Sequence, residues 1–166
     1  MKRMLFAAAV IALASTAAHA DNQALESLID SALRSGHAIE SLLYNQPVLA
    51  VPVADRPCPT IGVIYQEGRH RRGGPRIDNF QACPGTEPEL INDVSPALPD
   101  DPQFQQLIQM AIRGALRYGA QRRDWGEYLI DTRRLSAADG YGCGQVETVI
   151  SSMGMLVTYQ VGRLCP

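Results

Sequence analysis

The chain has 166 residues, with 15 Lys and Arg against 17 Asp and Glu, a formal net charge of −2 and four cysteines. That length suits one domain of ordinary size. The charge balance excludes the net basic domain of a nucleic-acid binder, and no stretch reaches the ~18 apolar residues that a membrane span needs.

Residues 1–20 read as a leader. Lys2 and Arg3 open it, Leu5 to Ala14 form an unbroken apolar run, and Ala18-His19-Ala20 closes it before Asp21. A positive start, an apolar core and a small-residue end are the pattern of a secretory signal peptide. The expectation is export to the periplasm, cleavage after Ala20, and a single α+β domain over residues 21–166. Lys2 and Arg3 leave with the leader, so the mature chain carries 13 Arg and no Lys against 17 acids, a net charge of −4.

Asn22 to Tyr44 places Leu25, Leu28, Ile29, Ala32, Gly36, Ile39 and Leu43 on one 3.6-residue stripe. This predicts a helix, ended by Asn45-Gln46-Pro47. On its polar flank Glu40 follows His37 by three residues, the spacing of a carboxylate that orients a base. Val48 to Ala54 is apolar and β-branched, and Pro52 demotes it to an edge strand or extended segment. Thr60 to Glu67 predicts a strand, Gly68 to Arg76 a basic glycine-rich loop, and Ile77 to Ala82 a short return strand. In that loop Arg69, His70, Arg71, Arg72 and Arg76 suit recognition of a phosphate, a carboxylate or an acidic partner surface. Pro84 to Asp101 is rich in proline and acid and predicts an irregular surface connection.

Asp101 is a good N-cap and Pro102 a good first residue for a second helix. Phe104, Ile108, Ala111, Ile112, Ala115 and Gly119 form its apolar stripe, Arg113 and Arg117 point away, and it ends within Tyr118 to Arg123. Glu127 to Leu135 fits a strand or a short helix. Around it, Arg122, Arg123, Arg133 and Arg134 accompany Trp125 and Tyr128, and Trp with Arg is favoured at interfaces. Ala137 to Gly140 is a turn. Gln145 to Ser152 and Met155 to Gly162 flank Met153-Gly154 as a hairpin. A register centred there pairs Val146 with Val161, Thr148 with Tyr159 and Ile150 with Val157, and sets Cys143 opposite Leu164, beside Cys165.

Four cysteines allow three connectivities. The hairpin favours Cys143–Cys165 and leaves Cys58–Cys83. In an exported chain, disulfides are the expected use of dispersed cysteines, and neither metal nor cofactor is expected. Motifs for chemistry are sparse. There is no G-x-S-x-G, and Gly140-Tyr141-Gly142-Cys143-Gly144 lacks the third glycine of the dinucleotide fingerprint. Glu40-Ser41 with Asn45 and Pro47 resembles part of the lytic transglycosylase pattern. The spacing differs and the Gly-Leu-Met-Gln motif is missing, so no family is assigned.

The expected fold is α+β, two main helices packed on a small, mainly antiparallel sheet and stapled by the 58–83 and 143–165 disulfides. The expected function is that of a non-enzymatic periplasmic protein that binds a protein partner, as an accessory of an envelope assembly of secretion or conjugation type. The alternatives are a cell-wall hydrolase or lyase using Glu40 with His37, and a binder of a small anionic ligand at the Arg69–Arg76 loop.

Overall fold

A computed structural model describes residues 22–54, 58–69, 75–92 and 97–165. The leader lies outside the described residues. The first helix, α1, covers residues 22–35 and stops at Gly36. Gly36 takes a φ of 63°, and its N–H donates to the Ala32 carbonyl at 3.0 Å. This left-handed closure suits glycine. The helix expected to reach Tyr44 is therefore replaced by a strand, β1, over Ile39–Leu43. Ile39 and Leu43 satisfy both readings, because positions i and i+4 share a face in a helix and in a strand alike.

A two-residue turn joins β1 to β2, Gln46–Ala54. Tyr44 and Asn45 both have positive φ, 55° and 60°, the type I′ geometry of tight hairpins. β2 is an inner strand, not the expected edge: it pairs with β1 on one side and with β3, Thr60–Arg69, on the other. Pro52 is tolerated because it lies past the last β1 pair, Ile39↔Ala50, and beside a register shift against β3. β4 follows over Pro75–Gln81. The segment read as irregular contributes a fifth strand, β5, Glu89–Asn92, on the edge beyond β4.

The second helix, α2, spans Pro102–Tyr118. The Asp101 carboxylate accepts the Gln103 and Phe104 N–H groups at 2.7 and 3.3 Å, as an N-cap should. Four antiparallel strands complete the chain: β6 Ala120–Trp125, β7 Tyr128–Arg134, β8 Gly144–Ser152 and β9 Met155–Leu164. β6 occupies a stretch that the sequence reading gives to a helix end, and β7 resolves residues 127–135 as strand.

The fold is thus mostly β, not two helices on one small sheet. It has two antiparallel sheets, ordered β1-β2-β3-β4-β5 and β6-β7-β8-β9. Each takes a helix on one face. Leu28, Ile29 and Ala32 of α1 pack on Val48, Ala50, Ile61, Val63 and Phe80 of the first sheet. Phe104, Ile108 and Ala111 of α2 pack on Ile130, Ile150 and Val157 of the second. The opposite faces meet where Leu156 of β9 buries against Val51, Ile64 and Ile77.

That meeting is close. A Cβ on Gly62 would lie 2.3 to 2.4 Å from the Leu156 side chain, so only glycine fits there. Beside it the buried Asn79 accepts the Leu156 N–H at 2.7 Å and donates to the Leu156 carbonyl at 3.4 Å.

Leu156 also marks a correction to the hairpin register. Ser152↔Met155 and Ser151↔Leu156 match the expected pairing, but the next pair is Ile150↔Thr158. Val157 is therefore an extra residue, a β-bulge. The bulge lets neighbouring residues serve two cores, Leu156 toward the first sheet and Val157 toward α2. It also moves every later pair by one, so the ladder ends at Gly144↔Leu164 and Cys143 falls opposite Cys165.

Both expected disulfides are present, Cys58–Cys83 and Cys143–Cys165, with Cα atoms 4.7 and 4.0 Å apart. Each clips the open end of a hairpin. Thr60↔Gln81 is the last β3–β4 pair, and the Ala82 N–H still donates to the Pro59 carbonyl at 2.9 Å before Cys58 meets Cys83. Among the described residues, no helix is long and apolar enough to cross a membrane.

Candidate functional site

The basic stretch falls between β3 and β4 in the chain. His70, Arg71 and Arg72 lie outside the described residues, and Arg69 enters only through its backbone, paired with Pro75. Arg76 is in β4, not in a loop. Two residues on along the same strand face sits Asp78, whose side chain is 3% exposed. The Arg76 guanidinium grips both carboxylate oxygens, with Nε 2.8 Å from Oδ1, and lies 4.8 Å from the centre of the Tyr65 ring. Arg76 thus neutralises a buried carboxylate. Burial, then the Asp78 charge, pushes the Tyr65 hydroxyl up to about 12.

The second arginine set is dispersed. Arg122 and Arg123 are exposed on β6. Arg134 donates to the Leu116 carbonyl at 2.8 Å and so satisfies the end of α2. Arg133 is held by Glu147, whose side chain is 6% exposed, with Nε 3.1 Å from Oε2. The other Glu147 oxygen accepts the Tyr159 hydroxyl at 3.1 Å, and Arg133 reaches across to the Gly36 carbonyl at 3.4 Å. Burial, then Glu147, raises the Tyr159 pKa. With both oxygens occupied, Glu147 holds Arg133 in place to tie the α1–β1 junction to the second sheet. Trp125 is half-buried at the end of β6, its ring 6.1 Å from that of Phe104, and serves the α2 core.

His37 and Glu40 are both exposed, but they are not one helical turn apart. His37 lies in the bend after α1, where its N–H donates to the Ser35 hydroxyl at 3.0 Å, and Glu40 lies in β1. Among the described residues, no three His, Cys, Asp or Glu side chains are grouped to hold a metal ion.

The feature that sequence reasoning misses is the β1–β2 tip. β1 is an edge strand of its sheet, so among the described residues one side of its backbone has no strand neighbour. Leu42 and Tyr44 project from it, 65% and 57% exposed. Tyr44 does so with a φ of 55°, a region that bulky L-residues rarely adopt. No family model, curated protein or solved structure matches this chain. A signal was present in the sequence: Ile39, Ser41 and Leu43 alternate with Glu40 and Leu42, and Tyr44-Asn45 offers an Asn where a type I′ turn accepts one.

Proposed function

We propose that this chain is exported and works in the cell envelope as a non-enzymatic binding protein, taking a protein partner along the outer edge of β1. The leader pattern and the two disulfides support export. One observation carries the binding site: Tyr44, a large aromatic residue, sits mostly exposed in a left-handed backbone position. Such a position costs an L-residue about 1–2 kcal/mol, and strain of this kind persists at functional sites. Native edge strands are commonly blunted by Lys, Pro or bulges. β1 carries none of these, and Glu40 is its one charge. An extended apolar segment of a partner could add to such an edge as a further strand, with Leu42 and Tyr44 as side-chain anchors.

The reading sets stability against binding at one residue. Tyr44→Asn replaces the aromatic with a residue that accepts the left-handed region. The variant should melt higher, by about 1 kcal/mol of added stability, yet lose the partner that co-purifies with the tagged wild-type chain from periplasmic extract. Recovery of the same partner by both chains would refute the site.

A further inference from the structure

A second surface, remote in sequence from the β1 edge, has the chemistry of a ligand site. At the C-terminal end of α2 lies a cavity of about 610 Å³ lined by Arg113, Leu116, Arg117, Arg134, Ala138 and Cys165, together with Gly142. This is the size range of pockets that take small organic molecules. Three of these residues are arginines and none is acidic, on a chain whose net charge is −2.

Among the described residues, none of the three guanidiniums forms an ion pair. Arg113 and Arg117 are one helical turn apart on α2, where like charges repel. Arg134 joins them from β7, placed by its hydrogen bond to the Leu116 carbonyl. The nearest acid along the chain, Asp139, is already engaged. Its carboxylate accepts the Tyr141 and Cys143 N–H groups, both at 2.9 Å, and the Arg163 guanidinium at 2.8 Å. The remaining lining residues, Leu116, Ala138, Gly142 and Cys165, carry no charge.

We infer that this cavity binds a small amphipathic anion, a phosphate monoester or carboxylate carrying a compact apolar group. The guanidiniums take the head group through charge-assisted hydrogen bonds, and Leu116, Ala138 and the disulfide take the apolar body.

Titration calorimetry on the purified, disulfide-bonded chain tests this with phenyl phosphate, inorganic phosphate and benzyl alcohol. The expected result is saturable one-to-one binding of phenyl phosphate, at least tenfold tighter than inorganic phosphate, with no binding of benzyl alcohol. Arg113→Gln with Arg117→Gln should weaken phenyl phosphate at least tenfold without lowering the melting temperature, since both residues are exposed. Ala138→Trp fills the apolar half while keeping the charges, and should weaken phenyl phosphate but not inorganic phosphate. Absence of saturable phenyl phosphate binding, or wild-type affinity in the double variant, overturns the assignment. Equal affinity for phenyl phosphate and inorganic phosphate, or unchanged phenyl phosphate binding in Ala138→Trp, overturns its apolar half.

Discussion

Tyr65 shows how burial at one residue becomes a property of the whole chain. Its hydroxyl sits in the α1-facing core beside Asp78, and is pushed from its ordinary 10.0 up to about 12, first by burial and then by that carboxylate. The folded chain therefore holds this proton more tightly than the unfolded chain. The stability that results is complete below pH 10 and is lost as pH rises through 12. Melting temperature followed upward from pH 9 should fall over this window, and Tyr65→Phe should fall less steeply. Equal slopes for the two chains would contradict the assignment. Tyr159 is raised in the same direction, so some slope remains in the variant. The composition exposes Arg76 as one of a run of basic residues, but not its partner. Once residues 77–82 are a strand, Arg76 and Asp78 share a face, and the pair becomes readable from spacing alone. A change of element separates His37 from Glu40, because His37 falls in the bend after α1 and Glu40 in β1.

The two closed hairpins were the most legible elements. Met153-Gly154 carries its own turn signal, and Asp101-Pro102 marks the start of α2. The Cys143–Cys165 pairing follows from a hairpin register and Cys58–Cys83 by elimination, although Cys143 reaches Cys165 through a bulge at Val157 that no local pattern announces. β5 and β6 were illegible for a shared reason. Both are edge strands whose described side chains are mostly exposed, so the alternation that betrays a half-buried strand is absent. The turn before β8 lies at residues 139–142 rather than 137–140, and Asp139 organises it. The Cys143 N–H first, then Arg163 and the Tyr141 N–H, hold the Asp139 carboxyl below its usual range. Asp139→Ala should loosen this turn and speed reduction of Cys143–Cys165 by dithiothreitol, while Cys58–Cys83 keeps its wild-type rate. Mass spectrometry of alkylated time points would show both. Parallel acceleration of the two bonds would point to a global effect.

At the scale of the molecule, the sheets are held together by residues far apart in sequence. Asn79 and Leu156 are separated by 77 positions, and Gly62 is shaped for the same contact. Nothing local in the sequence could disclose this, which is why one small sheet was the natural expectation. Asn79→Ala removes both side-chain hydrogen bonds to the Leu156 peptide inside this junction. It should cost about 2 kcal/mol, read as a lowered denaturation midpoint with little change in slope. A change under 0.5 kcal/mol would show that the sheets do not depend on this bridge. Among the described residues the layered arrangement also leaves the β1 edge without a strand neighbour, while α2 packs on the second sheet. The claim that this edge meets a partner is tested most directly by photocross-linking in cells that export the chain. A photoreactive residue replaces Leu42 in one chain and the exposed Gln109 of α2 in another. The account predicts a discrete heterologous adduct from position 42 and none of the same mass from position 109; no adduct from position 42, or an identical one from both, would contradict it.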